Sequence, residues 1–238
     1  MRFNRRLNNF KAISFDLDDT LYSNAPVMEK TEQAMITYFD SLLGQKAQHV
    51  YDYRFWFEFK LAAIAQTPNL RHDVGELRRQ SYYLGLKALG FSEKDALTHA
   101  DLALSFFLEN RTDFTLSDDI HKLLEQLAQK WPLYAVSNGN ADTEKLGIKQ
   151  YFSGIYHANL KNKQKPDPDM FHKVCAEQNI KAGELLHVGD CGYSDIYGAN
   201  AAGCQTVWIS CYDVGKQITR LPTCEITDIY QLSTLIKI

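Results

Sequence analysis

Asp16, Asp18 and Asp19 stand within four positions of one another, directly after the apolar run Ala12–Phe15. Carboxylates this close raise one another's pKa, because each ionised group makes the next harder to ionise. A bound divalent cation reverses that effect and keeps them charged. The cluster therefore calls for a metal. On an extended chain successive side chains alternate, so Asp16 and Asp18 face one site while Leu17 packs on the other side. One carboxylate is then available to attack and a second to give and take a proton. An acidic turn that is merely solvated is the plainer alternative. A calcium loop of the EF-hand type is excluded, since counting from Asp16 puts Leu21 at the sixth position and Val27 at the twelfth, where Gly and Glu are required.

The elements that must carry these groups fall into two patterns. From 24 to about 110 the chain reads as four helices. The first has Asn24 as N-cap, Pro26 in its first turn, Gly44 as terminator, and Met28, Met35, Tyr38, Phe39 and Leu42 on one face. An aromatic stretch (51–59) follows, then a charged helix ending near Gly90, then a helix capped by Ser92. Beyond 110 short strand-like runs (133–136, 185–188, 206–209) alternate with helical stretches such as 118–130. This alternation predicts an α/β fold: a Rossmann-like, doubly wound parallel sheet that also contains Ala12–Phe15. The expected division is a core of 1–23 with 112–238, interrupted by an all-helical insertion over 24–111. In such sheets ligands bind beyond the carboxyl ends of the strands. That rim gathers Asp16, Asp18, Ser137, Asn138 and Asp190, with Lys165 in a loop between strands.

Composition narrows the partners. A formal net charge of −3 gives no general attraction to nucleic acid or to an anionic membrane, and no apolar run reaches transmembrane length. Basic Arg2, Arg5, Arg6 and Lys11 precede an apolar run too short for a signal-peptide core. Five cysteines without a C-x-x-C pair argue against a disulfide framework or a zinc site, and Cys191, beside Asp190, is read as packing. The expectation is a cytoplasmic protein with small-molecule partners; the oligomeric state is left open.

Four segments in order, Asp16-Leu17-Asp18-Asp19-Thr20, Ser137-Asn138-Gly139, Lys165-Pro166 and Gly189-Asp190 with Asp195, resemble the four motifs of the haloacid dehalogenase superfamily of phosphohydrolases. The resemblance implies that Asp16 is a nucleophile forming an aspartyl-phosphate and Asp18 the acid/base. Ser137, Asn138 and Lys165 would bind the phosphate. Mg2+ would be held by a carboxylate oxygen of Asp16, the backbone carbonyl of Asp18 and Asp190, with Asp195 behind them holding a metal-bound water or Lys165. Taken singly, each has a plainer reading: Lys165 as a solvated loop lysine, Ser137-Asn138-Gly139 as a turn, Asp195 as a helix cap.

The helical insertion resembles the cap that covers the rim in many superfamily members. Its aromatics Tyr51, Tyr53, Phe55, Trp56, Phe57 and Phe59 could stack on a planar ring or simply fill the bundle core, and Arg71, His72, Arg78 and Arg79 could meet a polar substrate or only solvent. The form of the first motif, Lys130-Trp131-Pro132-Leu133 and Leu186-His187-Val188-Gly189-Asp190 resemble a bacterial branch acting on flavin mononucleotide (FMN) and 5-amino-6-(5-phospho-D-ribitylamino)uracil, a riboflavin precursor. The expected function is thus a Mg-dependent phosphatase of small phosphate esters. The alternatives are a nucleotidase, a sugar-phosphate phosphatase or phosphomutase of the same superfamily, and a phosphate-accepting signalling or binding module.

Overall fold

The structure, a computed structural model, describes residues 1–44, 51–211 and 218–237. The chain divides into two units: 1–24 with 115–139 and 143–238, and 25–114 with 140–142.

The first unit is built on a seven-stranded sheet. Its strands are β1 (Arg2–Phe3), β2 (Ala12–Phe15), β3 (Leu133–Ser137), β4 (Gly154–His157), β5 (Leu185–Gly189), β6 (Gln205–Ile209) and β7 (Cys224–Ile226), in the order β1-β7-β6-β5-β2-β3-β4. All neighbours are parallel except the edge pair β1–β7. The expected strands are present. β1, β4 and β7 are additional, and their short or half-exposed sequences carry little apolar signal. From β2 the chain winds outward through β3 and β4, then crosses to the opposite side for β5, β6 and β7. The winding direction therefore reverses next to β2, and the strand ends there leave a crevice.

β2, β3 and β5 are wholly buried, which is why they read as continuous apolar runs rather than alternating ones. On one face Ala12, Tyr134, Val136 and Leu185 pack with Met170, Phe171 and Val174 of a helix over Asp169–Gln178. A strongly amphipathic helix over Asp118–Ala128 buries Ile120, Leu123, Leu124 and Leu127 and is capped by Ser117. A single wide helical turn, Gly192–Tyr197, follows β5.

Among its described residues the second unit holds four α-helices, α1 (Ala25–Leu43), α2 (Tyr53–Gln66), α3 (Val74–Ala88) and α4 (Glu93–Arg111), with a short 3-10 turn over Pro68–His72. Asp52, Asp73 and Ser92 cap α2, α3 and α4 by accepting backbone N–H bonds. Gly44 takes the left-handed conformation (φ +67°) that ends α1. Asn24 does not cap α1: its Oδ1 is buried without a hydrogen-bond partner among the described residues, and its backbone N–H donates to Asp19 Oδ1 at 2.8 Å. Phe39, Trp56, Tyr82, Leu86 and Phe107 form the core. Gly85 lets α3 approach α2 closely, since a Cβ there would lie 2.5 Å from the Trp56 ring. No described helix is long and apolar enough to cross a membrane.

Candidate active site

The ends of three strands, β2, β3 and β5, and one loop deliver the predicted residues to one cavity of about 210 Å³. Its lining includes Asp16, Asp18, Ser137, Asn138, Lys165, Asp190 and Asp195, together with Asp19, Gly139, Cys191 and Ser194. Asp16 follows β2, Ser137 ends β3, Asp190 follows β5, and Asp195 sits in the wide turn beyond it. Residues 149 and 30 positions apart in sequence meet at the Lys165 ammonium, which donates to Asp16 Oδ1 at 2.7 Å and to Asp195 Oδ1 at 2.6 Å. All three side chains are buried.

Charge is unbalanced there. Burial pushes the Asp16 carboxyl up to about 7 against the pull of Lys165, with Asp195 and Asp18 adding to the rise. Burial, Asp195 and Asp16 push Asp190 up to about 9. For Asp195 burial is outweighed by Lys165 and His187, which hold it below the usual carboxylate range, and the two aspartates likewise hold Lys165 charged above the ordinary lysine value despite burial. One ammonium thus serves several carboxylates. Added positive charge at Asp16 and Asp190 would bring both back to the ionised state.

Oxygen atoms of Asp16, Asp190 and Asp195 lie within 4.8 Å of one another, an all-oxygen donor set suited to a small hard cation. Asp195 is the least available of the three. Its Oδ1 already accepts from Lys165 and from His187 Nε2, and its Oδ2 accepts the Cys191 N–H at 2.9 Å. Asp190 is held from two directions: Thr20 Oγ1 donates to its Oδ1 at 3.3 Å, and Trp208 Nε1 donates to its backbone carbonyl at 2.7 Å.

Asp18 is half-buried at the cavity wall, where the Tyr22 hydroxyl donates to its Oδ1 at 2.6 Å. The backbone of Gly139 passes so close that a Cβ there would collide with Asp18 Oδ2. Gly189 stands in the same relation to Asp195, so both glycines are demanded by carboxylates rather than by turn geometry. Ser137 Oγ accepts the Gly139 N–H at 3.0 Å, which leaves its own proton to donate. Asn138 differs from expectation: its Oδ1 accepts the Lys165 N–H at 2.7 Å and its Nδ2 donates to the Lys165 carbonyl at 2.9 Å. It clamps the lysine's backbone, and only its second amide hydrogen is left for a ligand.

A model of the haloacid dehalogenase-like hydrolase family matches residues 10–203 of this sequence. The chain belongs to the haloacid dehalogenase-like hydrolase family. Its relatives include the 5-amino-6-(5-phospho-D-ribitylamino)uracil phosphatase YigB of Escherichia coli, 35% identical over 209 residues that cover 88% of this chain and 87% of that one. The human N-acylneuraminate-9-phosphatase is 26% identical over 86% of this chain and 84% of its own. A 2-haloacid dehalogenase from Pseudomonas syringae pv. Tomato, known from its crystal structure, is 29% identical and matches with a TM-score of 0.85 over 96% of this chain and 98% of that one.

Sequence reasoning about this haloacid dehalogenase-like hydrolase passed over Ser14 and His187, which meet each other and, through His187, Asp195, although both are polar residues inside apolar strands, which is a signal in itself. It also passed over Tyr22 as a partner of Asp18 and Trp208 as a partner of Asp190, and nothing in their sequence neighbourhood marks either. In the helical unit Tyr51 and Trp56 are buried and Phe55 and Phe59 half-buried in the bundle core, whereas Tyr53 and Phe57 are exposed. Arg79 pairs with Asp101 and Glu76, and Arg71 donates to the Pro68 carbonyl. Arg78, one of the four predicted polar contacts, lines a pocket, with its guanidinium 3.7 Å over the Phe107 ring.

Proposed function

We propose that this chain is a magnesium-dependent phosphatase that hydrolyses small phosphate monoesters through an aspartyl-phosphate on Asp16. The observation that carries the reading is the buried Lys165 ammonium joining Asp16 to Asp195, with Asp18 held beside them by Tyr22. Asp16 attacks phosphorus, the ester P–O bond breaks, and Asp18 gives the departing oxygen its proton. Water then attacks the phosphoryl group, passing a proton to Asp18, and the Asp16–phosphorus bond breaks to release inorganic phosphate. Lys165 and Ser137 donate to the phosphoryl oxygens as charge moves onto them. Mg2+, held by Asp16, Asp190 and the Asp18 carbonyl, would neutralise the substrate's negative charge and keep both carboxylates ionised.

The similarity to a 2-haloacid dehalogenase makes carbon–halogen cleavage the second reading. Halide leaves without a proton and needs no cation to grip equatorial oxygens. Asp18, with its tyrosine partner, and the surplus carboxylate at Asp190 would then have no task. They favour phosphate.

For the leaving group we infer a polyol bearing a flat heterocycle, with FMN and 5-amino-6-(5-phospho-D-ribitylamino)uracil foremost, which makes the protein a cytoplasmic enzyme of flavin metabolism. The similarity to the Escherichia coli phosphatase supports this; the helical unit by itself carries a cavity of about 120 Å³. Tyr53, Trp56, Phe57 and Tyr82 line it with Lys60 and Arg78. Lys60 Nζ lies about 6 Å from the Tyr53 and Phe57 rings, and burial together with Arg78 lowers its pKa. Neither cation meets a carboxylate within ion-pair distance among the described residues. Such a pocket suits a ring with carbonyl acceptors on its edge.

The test is steady-state phosphate release with Mg2+ from p-nitrophenyl phosphate, the two flavin-pathway esters, sugar phosphates, pyrimidine nucleotides and a 2-haloacid. Preference by tenfold or more for a sugar phosphate or nucleotide would remove the flavin reading and leave the phosphatase. Halide release without phosphate release would remove both.

A further inference from the structure

Ser14 and His187 are both completely buried, and they stand directly opposite one another in the β2–β5 register. Two polar side chains in the centre of an apolar sheet cost desolvation free energy unless each finds a partner. They find each other and the site. Ser14 Oγ lies 2.9 Å from His187 Nδ1, and His187 Nε2 lies 3.0 Å from Asp195 Oδ1.

With the imidazole neutral, the protons of this relay have one consistent arrangement. Asp195 is ionised and can only accept, so Nε2 must carry the imidazole hydrogen. Nδ1 is then the bare nitrogen, and Ser14 donates its hydroxyl proton to it. Phe171 meets the imidazole edge-on, with centroids 4.9 Å apart at 75°, and fixes the ring plane. Burial keeps the imidazole neutral, so it adds no charge that would compete with Lys165 for Asp195.

Asp195 is consequently held by donors from three directions: Lys165 and His187 on Oδ1 and the Cys191 N–H on Oδ2. Lys165 spends two of its three ammonium hydrogens on Asp195 and Asp16. Where the third one points depends on where Asp195 stands.

We propose that Ser14 and His187 are positioning residues of the catalytic centre: Ser14 fixes the His187 tautomer, His187 fixes the Asp195 carboxylate, and Asp195 aims the free Lys165 N–H at the substrate's phosphoryl oxygen. This rests on the phosphatase reading above. An apolar side chain at 187 strips Asp195 of a donor and Ser14 of its acceptor. A glutamine there still offers an amide N–H near the Nε2 position.

The experiment compares wild type, His187→Met, His187→Gln and Ser14→Ala on p-nitrophenyl phosphate at saturating Mg2+. It records kcat, KM, the inhibition constant of inorganic phosphate, the Mg2+ activation constant and Tm. Loss of a side chain that orients a ligating or phosphate-binding group costs about 10- to 100-fold. His187→Met should lose that much in kcat/KM and weaken phosphate inhibition in parallel, with the Mg2+ constant within about twofold. His187→Gln should recover to within about threefold of wild type, and Ser14→Ala should lose about two- to fivefold.

A merely structural role predicts something else: Tm falls while phosphate inhibition stays, and Gln is no better than Met. That result overturns the proposal, as does an unchanged His187→Met. Should His187→Met not fold, a Ser14→Ala protein with unaltered phosphate inhibition overturns it equally. The imidazole 15N shifts of His187 in the wild-type protein give an independent readout, expected to show the neutral Nε2–H tautomer; the Nδ1–H form refutes the relay. A wild type inactive on every phosphate ester would sink the phosphatase reading, while the tautomer result would still stand by itself.

Discussion

Gly139→Ala should separate catalysis from folding. Gly139 is not in the left-handed region, so alanine puts no strain on the backbone, but its Cβ would fall about 1 Å inside van der Waals contact with Asp18 Oδ2. The struck atom is the far end of a side chain. The fold therefore accommodates the methyl by turning Asp18 away, at the expense of the 2.6 Å bond from Tyr22. We expect Tm to fall by no more than about 4 °C, equivalent to about 1 kcal/mol in a chain of this length. Catalysis cannot absorb the same movement. A reacting group displaced by about 1 Å costs about 100-fold in rate, or about 2.7 kcal/mol of barrier. If Asp18 protonates the leaving oxygen, the loss in kcat should be greater for an alkyl phosphate than for p-nitrophenyl phosphate, whose leaving group needs no proton. Gly183→Ala is the control, since the nearest atom to its Cβ would be the Gly203 carbonyl oxygen at 3.9 Å. Kinetics on both esters with thermal unfolding of both variants decide the matter. Retention of kcat within about threefold, or equal losses on the two esters, would refute the placement of Asp18 as acid.

Asp16→Asn should remain folded and lose about a thousandfold or more in kcat, because an amide cannot attack phosphorus; 32P-labelling of the wild type but not of the variant checks the covalent step. Stability should respond to pH in a defined sense. Asp16 and Asp190, raised to about 7 and about 9 in the metal-free protein, favour folding while protonated, so their contribution is full below about pH 4 and lost as pH climbs through those values. Asp195, held low, acts in the opposite sense only below about pH 4. Added Mg2+ should therefore raise Tm more at pH 8.5 than at pH 6, and calorimetry near neutral pH should detect proton release; a pH-independent rise in Tm would count against Asp16 and Asp190 as ligands. Arg78→Ala and Lys60→Ala should raise KM for FMN several-fold and leave p-nitrophenyl phosphate untouched. Equal effects on both substrates would return the helical pocket to plain packing.

Strand-end position, together with the order of motifs that resemble the haloacid dehalogenase superfamily, marked out Asp16, Asp18, Lys165, Ser137 and Asp190, because strand-end carboxylates and a Lys-Pro loop are local features and the order of motifs survives without coordinates. The buried strands were equally legible, since strands covered on both faces must be continuously apolar. What remained hidden depends on distance between remote segments. Asn138 reads as a phosphate ligand until Lys165, 27 positions away, occupies both ends of its amide. Gly139 reads as a turn residue, and Gly189 as no more than part of a motif, until carboxylates approach their backbones. The aromatic stretch 51–59 reads as one feature, but the packing of α2 against α3 buries Trp56 and leaves Tyr53 and Phe57 exposed. Ser14 and His187 are polar letters in apolar words, and only the β2–β5 register, which no local pattern specifies, puts them opposite each other and beneath Asp195. Chemistry that follows from side-chain type is written along the chain. Which hydrogen-bond partner each group takes is decided where the folded chain brings donors and acceptors within about 3 Å.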